Sequence, residues 1–413
     1  MENTIRSHAF FVGNVTSEID ERKLNNTAWE NVVEDKKLYD DFLCSYFHKS
    51  HVDAMIQAVG QERPKFLKHV RQYSKKIDKI IPLSIFDEKT GELKVFDDYI
   101  LNIVNLHIYC FPLGITLYAI EVNDSGSGLN DLTLAHSIIR ELPSRWKQFN
   151  SEFKEVLAPI MELLPSGNQI FTRGNKLKLF QILLVDEKNW TEGHLYEAGC
   201  CIPIDSVDSD NHFAPSKKYY ESIMNENTVA PFKTWKSLSL VDTYTSMFKS
   251  PKVFDEASWL REKITWTNSY YRFIFLRVLV QKTFLSTQNV QYRLDNSNSN
   301  IIRDLGLMER YYFYDNISYN FLPDLINKQI EKGMAINEEK SELSQLIKEM
   351  ASKNTNTLTA ILSVFAIFSI CLVIFNIARI IICRSQSWVV LSVLSFISTL
   401  CIIAIIIRLI KSK

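Results

Sequence analysis

The pattern of hydrophobic and polar positions changes character several times along the chain. To about residue 80, polar segments carry isolated apolar anchors, such as Leu38, Phe42, Tyr46 and Phe47, at spacings that predict short helices. The pattern then becomes extended. IIPLSIF and ELKVFD flank Lys89, Thr90 and Gly91 and read as a hairpin. LNIVNLHIYCF and LGITLYAIEV, separated by Pro112, read as two more strands rich in β-branched and aromatic residues. A helix is predicted over LNDLTLAHSIIREL, with Asn130 or Asp131 as its N-cap and Pro143 as its stop. LKLFQILLVD and EAGCCIPID supply further strand candidates, and the mixture of strands and helices predicts an α/β domain covered by helices.

From about Phe254 the pattern is helical and stays so. A long aromatic-rich run carries Arg261, Arg272, Arg277 and Arg293, and a polar break over 295–300 ends it. Leu325, Ile326, Ile330, Met334, Leu343, Leu346, Ile347 and Met350 then form an amphipathic stripe at three- and four-residue steps. Pro323 starts or kinks this segment and Gly333 weakens it locally. Nothing in a lone chain is expected to cover the stripe, so it predicts a homo-oligomer.

Two strongly apolar runs close the chain, 358–382 and 389–407, each near the roughly 20 residues of helix that cross a bilayer core about 30 Å thick. They predict two transmembrane helices. Lys340, Lys348 and Lys353 precede the pair and Arg408, Lys411 and Lys413 follow it, against Arg379 and Arg384 near the hairpin. That asymmetry places both termini in the cytosol of a multi-pass protein of the cell inner (cytoplasmic) membrane, with Trp388 as an interfacial anchor. The organisation expected is a cytosolic mixed α/β domain over 1–300, a stalk helix region over 301–357 and transmembrane helices at 358–382 and 389–409. An extracytosolic hairpin at 383–388 joins the two helices, and a basic tail follows at 410–413.

Composition narrows the function. Forty-seven basic residues balance 47 acidic ones, so bulk electrostatics do not point to nucleic-acid binding, and no direct nucleic-acid partner is expected. The N-terminal MENTIRSHAFFVGN lacks a basic start followed by an apolar core, so no signal peptide is expected. Cys44, Cys110, Cys200 and Cys201 have neither zinc nor disulfide spacing, and the adjacent Cys200 and Cys201 read as buried filler on a strand. No HExxH, nucleophile elbow or P-loop is present, and no enzyme, metal site or cofactor is expected.

Other polar positions have bland readings. Asp205, Asp208, Asp210 and His212 lack the glycine and closing glutamate of a calcium loop and read as solvated. The turn from Asn123 to Gly128 reads as a strand-to-helix connection rather than a phosphate cradle. His107, His136, His194 and His212 read as packed or solvated side chains. Arg261, Arg272 and Arg277 are candidates for an anionic ligand, or equally for stacking and ion pairing between subunits.

In the first apolar run, helical stepping from Thr359 reaches Ser363, Ala366, Ser369 or Ile370, Val373, and Asn376 or Ile377. This small and polar face suits either pore lining or helix packing. The run NTNTLTAILSVFAIFSICLVIFN, with RLIKSK at the end, resembles the CorA-like superfamily of two-transmembrane-helix divalent-cation channels over roughly residues 320–413. Ile374, Phe375 and Asn376 stand where that family has Gly-Met-Asn, and Arg379 and Arg384 stand at the pore mouth, where arginines repel cations. With these departures the chain is similar to CorA-like proteins associated with type III CRISPR loci. That resemblance implies a pentameric channel or membrane-disrupting effector of antiviral defence, gated by a nucleotide-derived second messenger on the cytosolic domain. The alternatives are a divergent magnesium transporter, with magnesium as its ion, and a membrane-anchored adaptor without a pore.

Overall fold

Arg6–Asn14 forms the first strand, β1, because Ser7 to Gly13 can be buried without a break. The computed structural model describes residues 5–15, 19, 23–24, 29–86, 93–125, 128–163, 176–208, 214–250, 271–294 and 300–382. β1 lies inside a sheet of nine strands in the order β2-β3-β4-β5-β1-β6-β9-β8-β7. The others are β2 (Glu30–Asn31), β3 (Arg71–Phe86), β4 (Leu93–Cys110), β5 (Thr116–Ser125), β6 (Lys178–Val185), β7 (Thr228–Phe232), β8 (Trp235–Ser239) and β9 (Thr243–Lys249). β6 and β9 run parallel, and the remaining pairs are antiparallel. In β1, Phe10 faces Glu121 of β5 on one side and Phe180 of β6 on the other.

Helices cover both faces, which is why the central strands read as continuous apolar runs. The helices are α1 (Lys49–Met55), α2 (Leu129–Arg140), α3 (Ser151–Met161), α4 (Glu192–Cys200), α5 (Lys217–Asn227), α6 (Tyr271–Leu294), α7 (Asn300–Tyr311), α8 (Phe321–Gly333) and α9 (Ile336–Ile382). On one face Ala9, Phe11, Ile120, Leu179 and Leu183 join Leu132, Ile139, Phe153 and Leu195 in the main core. On the other face Phe10 packs on Phe180, and Phe180 on Tyr244 and on Phe275 of α6, with ring centroids 6.3, 5.5 and 5.5 Å apart. Each such ring contributes about 1.5–3 kcal/mol through burial.

Two glycines are set by close approach. A Cβ on Gly13 would lie 2.4 Å from the Tyr118 ring, and one on Gly333 would lie 2.8 Å from the Ser239 carbonyl oxygen. The helix starts at α3, α4 and α5 are capped by the side chains of Asn150, Thr191 and Ser216, which accept from Phe153, His194 and Tyr219.

Several expectations need correction. The segment to residue 80 is not wholly helical, since it contains β1 and most of β3. Of the expected anchors Phe47 is buried, but Tyr46 is exposed, and Tyr39 and Leu43 are buried in place of Leu38 and Phe42. β4 is one strand of 18 residues where two were expected, and its turn with β3 at 89–91 lies outside the described residues. The N-cap of α2 is Gly128; Asn130 instead accepts from the Ile204 amide at 3.0 Å. EAGCC belongs to α4, and Cys201 closes that helix in the left-handed region at φ 54° rather than sitting on a strand.

The chain divides into two units, 1–340 and 341–413. Within the first, the stripe expected to need an oligomer is broken at Met334 and Ala335, and Ile326, Ile330 and Met334 are buried within the single chain. The expected fold class, with two C-terminal transmembrane helices in a CorA-like architecture, is overturned. Among the described residues no helix is long and apolar enough to cross a membrane. α9 begins with the charged Glu338, Glu339 and Lys340. The second run, 389–409, and the hairpin at 383–388 lie outside the described residues. The multi-pass inner-membrane placement with cytosolic termini, and the lipid bilayer as a partner, lose the support they drew from those helices.

The packing around Arg277 yields a direct test. Its buried guanidinium donates to Asn327 Oδ1 at 2.6 Å, Glu331 Oε1 at 3.1 Å and the carbonyls of Tyr312 and Tyr314. Arg277→Met would strand these acceptors, and urea titration should show about 3–5 kcal/mol less stability. A loss within 1 kcal/mol of zero would mean that the helices hold together without it.

Candidate functional site

Two polar constellations lie on the α6 side of the sheet. The first is buried and centred on Glu121. Register places Asn105 of β4 and Phe10 of β1 opposite Glu121, so neighbouring strands aim side chains at one carboxylate. Asn105 Nδ2 donates to Glu121 Oε2 at 2.6 Å, His107 Nε2 lies 2.9 Å from the same oxygen, and His8 Nε2 lies 3.0 Å from Oε1. Burial opposes the charge on Glu121, but the hydrogen bonds from His107 and His8 outweigh it and hold the carboxyl well below the usual range. Burial pulls His107 below its ordinary 6.5, against the pull of Glu121, so the ring is a neutral donor. Arg272 completes the layer, its guanidinium 5.0 Å from the centroid of Phe10 and 6.0 Å from that of Tyr109.

The second constellation is an open cleft of about 200 Å³ where the end of β1, the start of β6 and the middle of α6 meet. Gly13 and Asn14 supply its floor from β1, and Lys176 and Lys178 enter from the approach to β6. Lys282, Thr283 and Ser286 project from α6. Gly13 is required here because Tyr118 fills the space a side chain would take. Each lysine has a carboxylate neighbour: Lys176 has Glu141 at 3.2 Å, Lys178 has Asp242, and Lys282 has Glu339 at 2.6 Å. Arg140 also reaches Asp242, at 3.6 Å, and Arg145 reaches Glu141, at 2.6 Å. Five cations thus share three carboxylates, and three of the five, the lysines, line the cleft.

The residues singled out from the sequence fall elsewhere. Arg272 stacks on aromatic rings and Arg277 ties helices together, so neither faces the cleft, while Arg261 lies outside the described residues. On α9, Thr359, Ser363, Ala366, Ser369 and Val373 are exposed, as are Leu362, Phe365 and Phe368, so burial does not set the small face apart. The Ser363 and Ser369 hydroxyls donate to the carbonyls of Thr359 and Phe365 within their own helix. Asn376 and Arg379 belong to α9, and Arg384 lies outside the described residues.

The histidines and cysteines have structural surroundings. His136 bonds Gln181 at 2.9 Å, and His194 lies 3.2 Å from Asp205. Among the described residues no group of His, Cys, Asp or Glu is arranged to hold a metal ion. Burial pushes the Cys200 thiol up to about 12, which leaves it inert. The cleft lysines escaped the sequence reading because Lys282 lies about a hundred residues from Lys176 and Lys178, and only the packing of α6 beside the start of β6 brings it to them. No family model, curated protein or solved structure matches the chain.

The Glu121 layer has a pH signature. The folded state resists protonating His107, so its contribution is complete above about pH 6.5 and erodes as the pH falls below that value. Glu121 acts in the same direction at lower pH, since its folded carboxyl is also depressed. Urea midpoints at pH 7 and pH 5 should show wild-type losing stability, with a slope of up to about 1.4 kcal/mol per pH unit from this one proton. His107→Gln should make the profile shallower, since the buried His51 keeps its own part of the slope, and an unchanged profile would remove His107 from the account.

Proposed function

We propose that the 1–340 unit is a binding module for a small phosphate-bearing anion of nucleotide-like chemistry, held in the lysine cleft between β1, β6 and α6. The observation that carries this reading is the convergence of Lys176, Lys178 and Lys282 on one space beside Asn14 and Thr283. An ammonium has three donors, and a carboxylate neighbour uses only part of that capacity. The pairs are partly exposed, with side-chain exposures of 51% for Lys176 and 29% for Lys178, so each is worth at most about 1 kcal/mol and yields to a multivalent anion. Thr283 and Asn14 add neutral hydrogen-bonding groups.

This reading keeps an anionic, nucleotide-like signal and moves its receptor from Arg261, Arg272 and Arg277 to three lysines. The cleft has room for a phosphate or diphosphate group, with any larger ligand extending beyond its mouth. The role proposed for it is recognition: Thr283 and Ser286 line the cleft as hydrogen-bonding groups beside the lysines.

Calorimetric titration of the full chain with inorganic pyrophosphate tests the proposal. Saturable binding is expected, with affinity reduced roughly tenfold or more in Lys176→Gln and Lys178→Gln, as loss of a charge-assisted hydrogen bond implies. Absence of saturable binding, or equal affinity in wild-type and both variants, would overturn it.

A further inference from the structure

Lys282 faces the cleft but also reaches out of it. Its Nζ donates to the Met334 carbonyl at 2.8 Å and to Glu339 Oε1 at 2.6 Å. Met334 is the C-cap of α8, Ala335 follows with φ 55°, and Glu339 sits in the first turn of α9. One ammonium therefore clamps the α8–α9 junction and lines the proposed anion site.

From this we infer that the cleft is a switch on the start of α9: an anion bound there draws Lys282 away from Glu339 and releases that turn. The inference rests on the reading of the cleft as a phosphate site. Three features make the clamp easy to release. Glu339 Oε2 is buried without a hydrogen-bond partner, so only one of the two carboxylate oxygens is satisfied while the clamp holds. Ala335 occupies the left-handed region, which an alanine adopts only under constraint, and the clamp spans that residue. The other described ion pair of the turn, Lys340 with Glu309 at 3.3 Å, is partly exposed and weak.

The release would be confined to α9. On α6, Arg277 and Gln281 grip Glu331 and the Tyr312 carbonyl, which fixes α8 independently of Lys282. Glu339 thus serves as an internal carboxylate that occupies Lys282 until a phosphate competes for it.

Hydrogen exchange of the full chain, with and without inorganic pyrophosphate, tests the switch alongside calorimetry. Saturation should speed exchange over 339–343 about fivefold while 321–333 is unchanged, the scale of losing one partly exposed ion pair. Glu339→Gln should show the faster exchange without pyrophosphate and bind it about three- to fivefold more tightly. Lys340→Gln, which cuts the other pair on the same turn, should leave pyrophosphate affinity unchanged, whereas general loosening of α9 would shift it too. If pyrophosphate binds and Lys176→Gln weakens it, yet 339–343 does not respond and Glu339→Gln binds equally, the switch is wrong and the cleft stands. If pyrophosphate binds neither wild-type nor Glu339→Gln, the cleft reading fails and the switch with it.

Discussion

A single buried guanidinium governs how the helical side of the 1–340 unit is assembled. Removing a charge from water costs several kcal/mol, recovered only if nearly every donor finds an acceptor. Arg277, fully buried on α6, meets that demand with Asn327 and Glu331 of α8, the carbonyls of Tyr312 and Tyr314, and the Tyr314 ring 4.6 Å away. Its Nε is the one nitrogen without a described partner. Tyr312 in turn donates its hydroxyl to the Ala54 carbonyl at the end of α1. The position of α6 against the sheet is thereby tied to α8 and α1 through one residue. Lys282, little more than a turn further on, is then carried to the rim of the cleft.

The cleft is a consequence of that placement and of the strand order. β1 lies between β5 and β6, so its end, with Gly13 and Asn14, meets the start of β6 with Lys178. Tyr118 of β5 occupies the space above Gly13, and α6 closes the third side. The charge excess comes from shared carboxylates: Asp242 serves Arg140 and Lys178, and Glu141 serves Arg145 and Lys176. The Glu121 layer lies elsewhere on the same side of the sheet, with both carboxylate oxygens taken by Asn105, His107 and His8, so it stabilises strand pairing.

What could be read in the sequence follows physical lines. Strands β4, β5 and β6 carry long β-branched and aromatic runs and were legible, as was the helix α2 ended near Pro143. β1 was not, because a strand buried on both faces shows no alternation and HAFFV is too short to distinguish from a helical anchor. The pair β8 and β9 is rich in Ser, Thr and Lys, and its burial depends on neighbours distant in sequence, such as Gln329, which bonds Ser237. The Cys200–Cys201 pair misled because burial suits a helix end as well as a strand. The stripe through Ile326, Ile330 and Met334 was legible as a buried face, but its partner is this chain's own fold. The apolar run at 358–382 was legible as helix, while its reading as a membrane span is not upheld by the described residues. The cleft was illegible, since no periodicity links Lys176, Lys178 and Lys282.

Lys176 and Lys178 at the start of β6 and Lys282 on α6, two distant parts of the chain, are proposed to form one anion site. A crystal structure of the full chain grown with inorganic pyrophosphate addresses it most directly. The account predicts density for the anion in the cleft, within hydrogen-bonding distance of the Lys176, Lys178 and Lys282 ammonium groups and beside Asn14. Density bound instead at Arg272 or at another surface, with the cleft empty at saturating pyrophosphate, would contradict it.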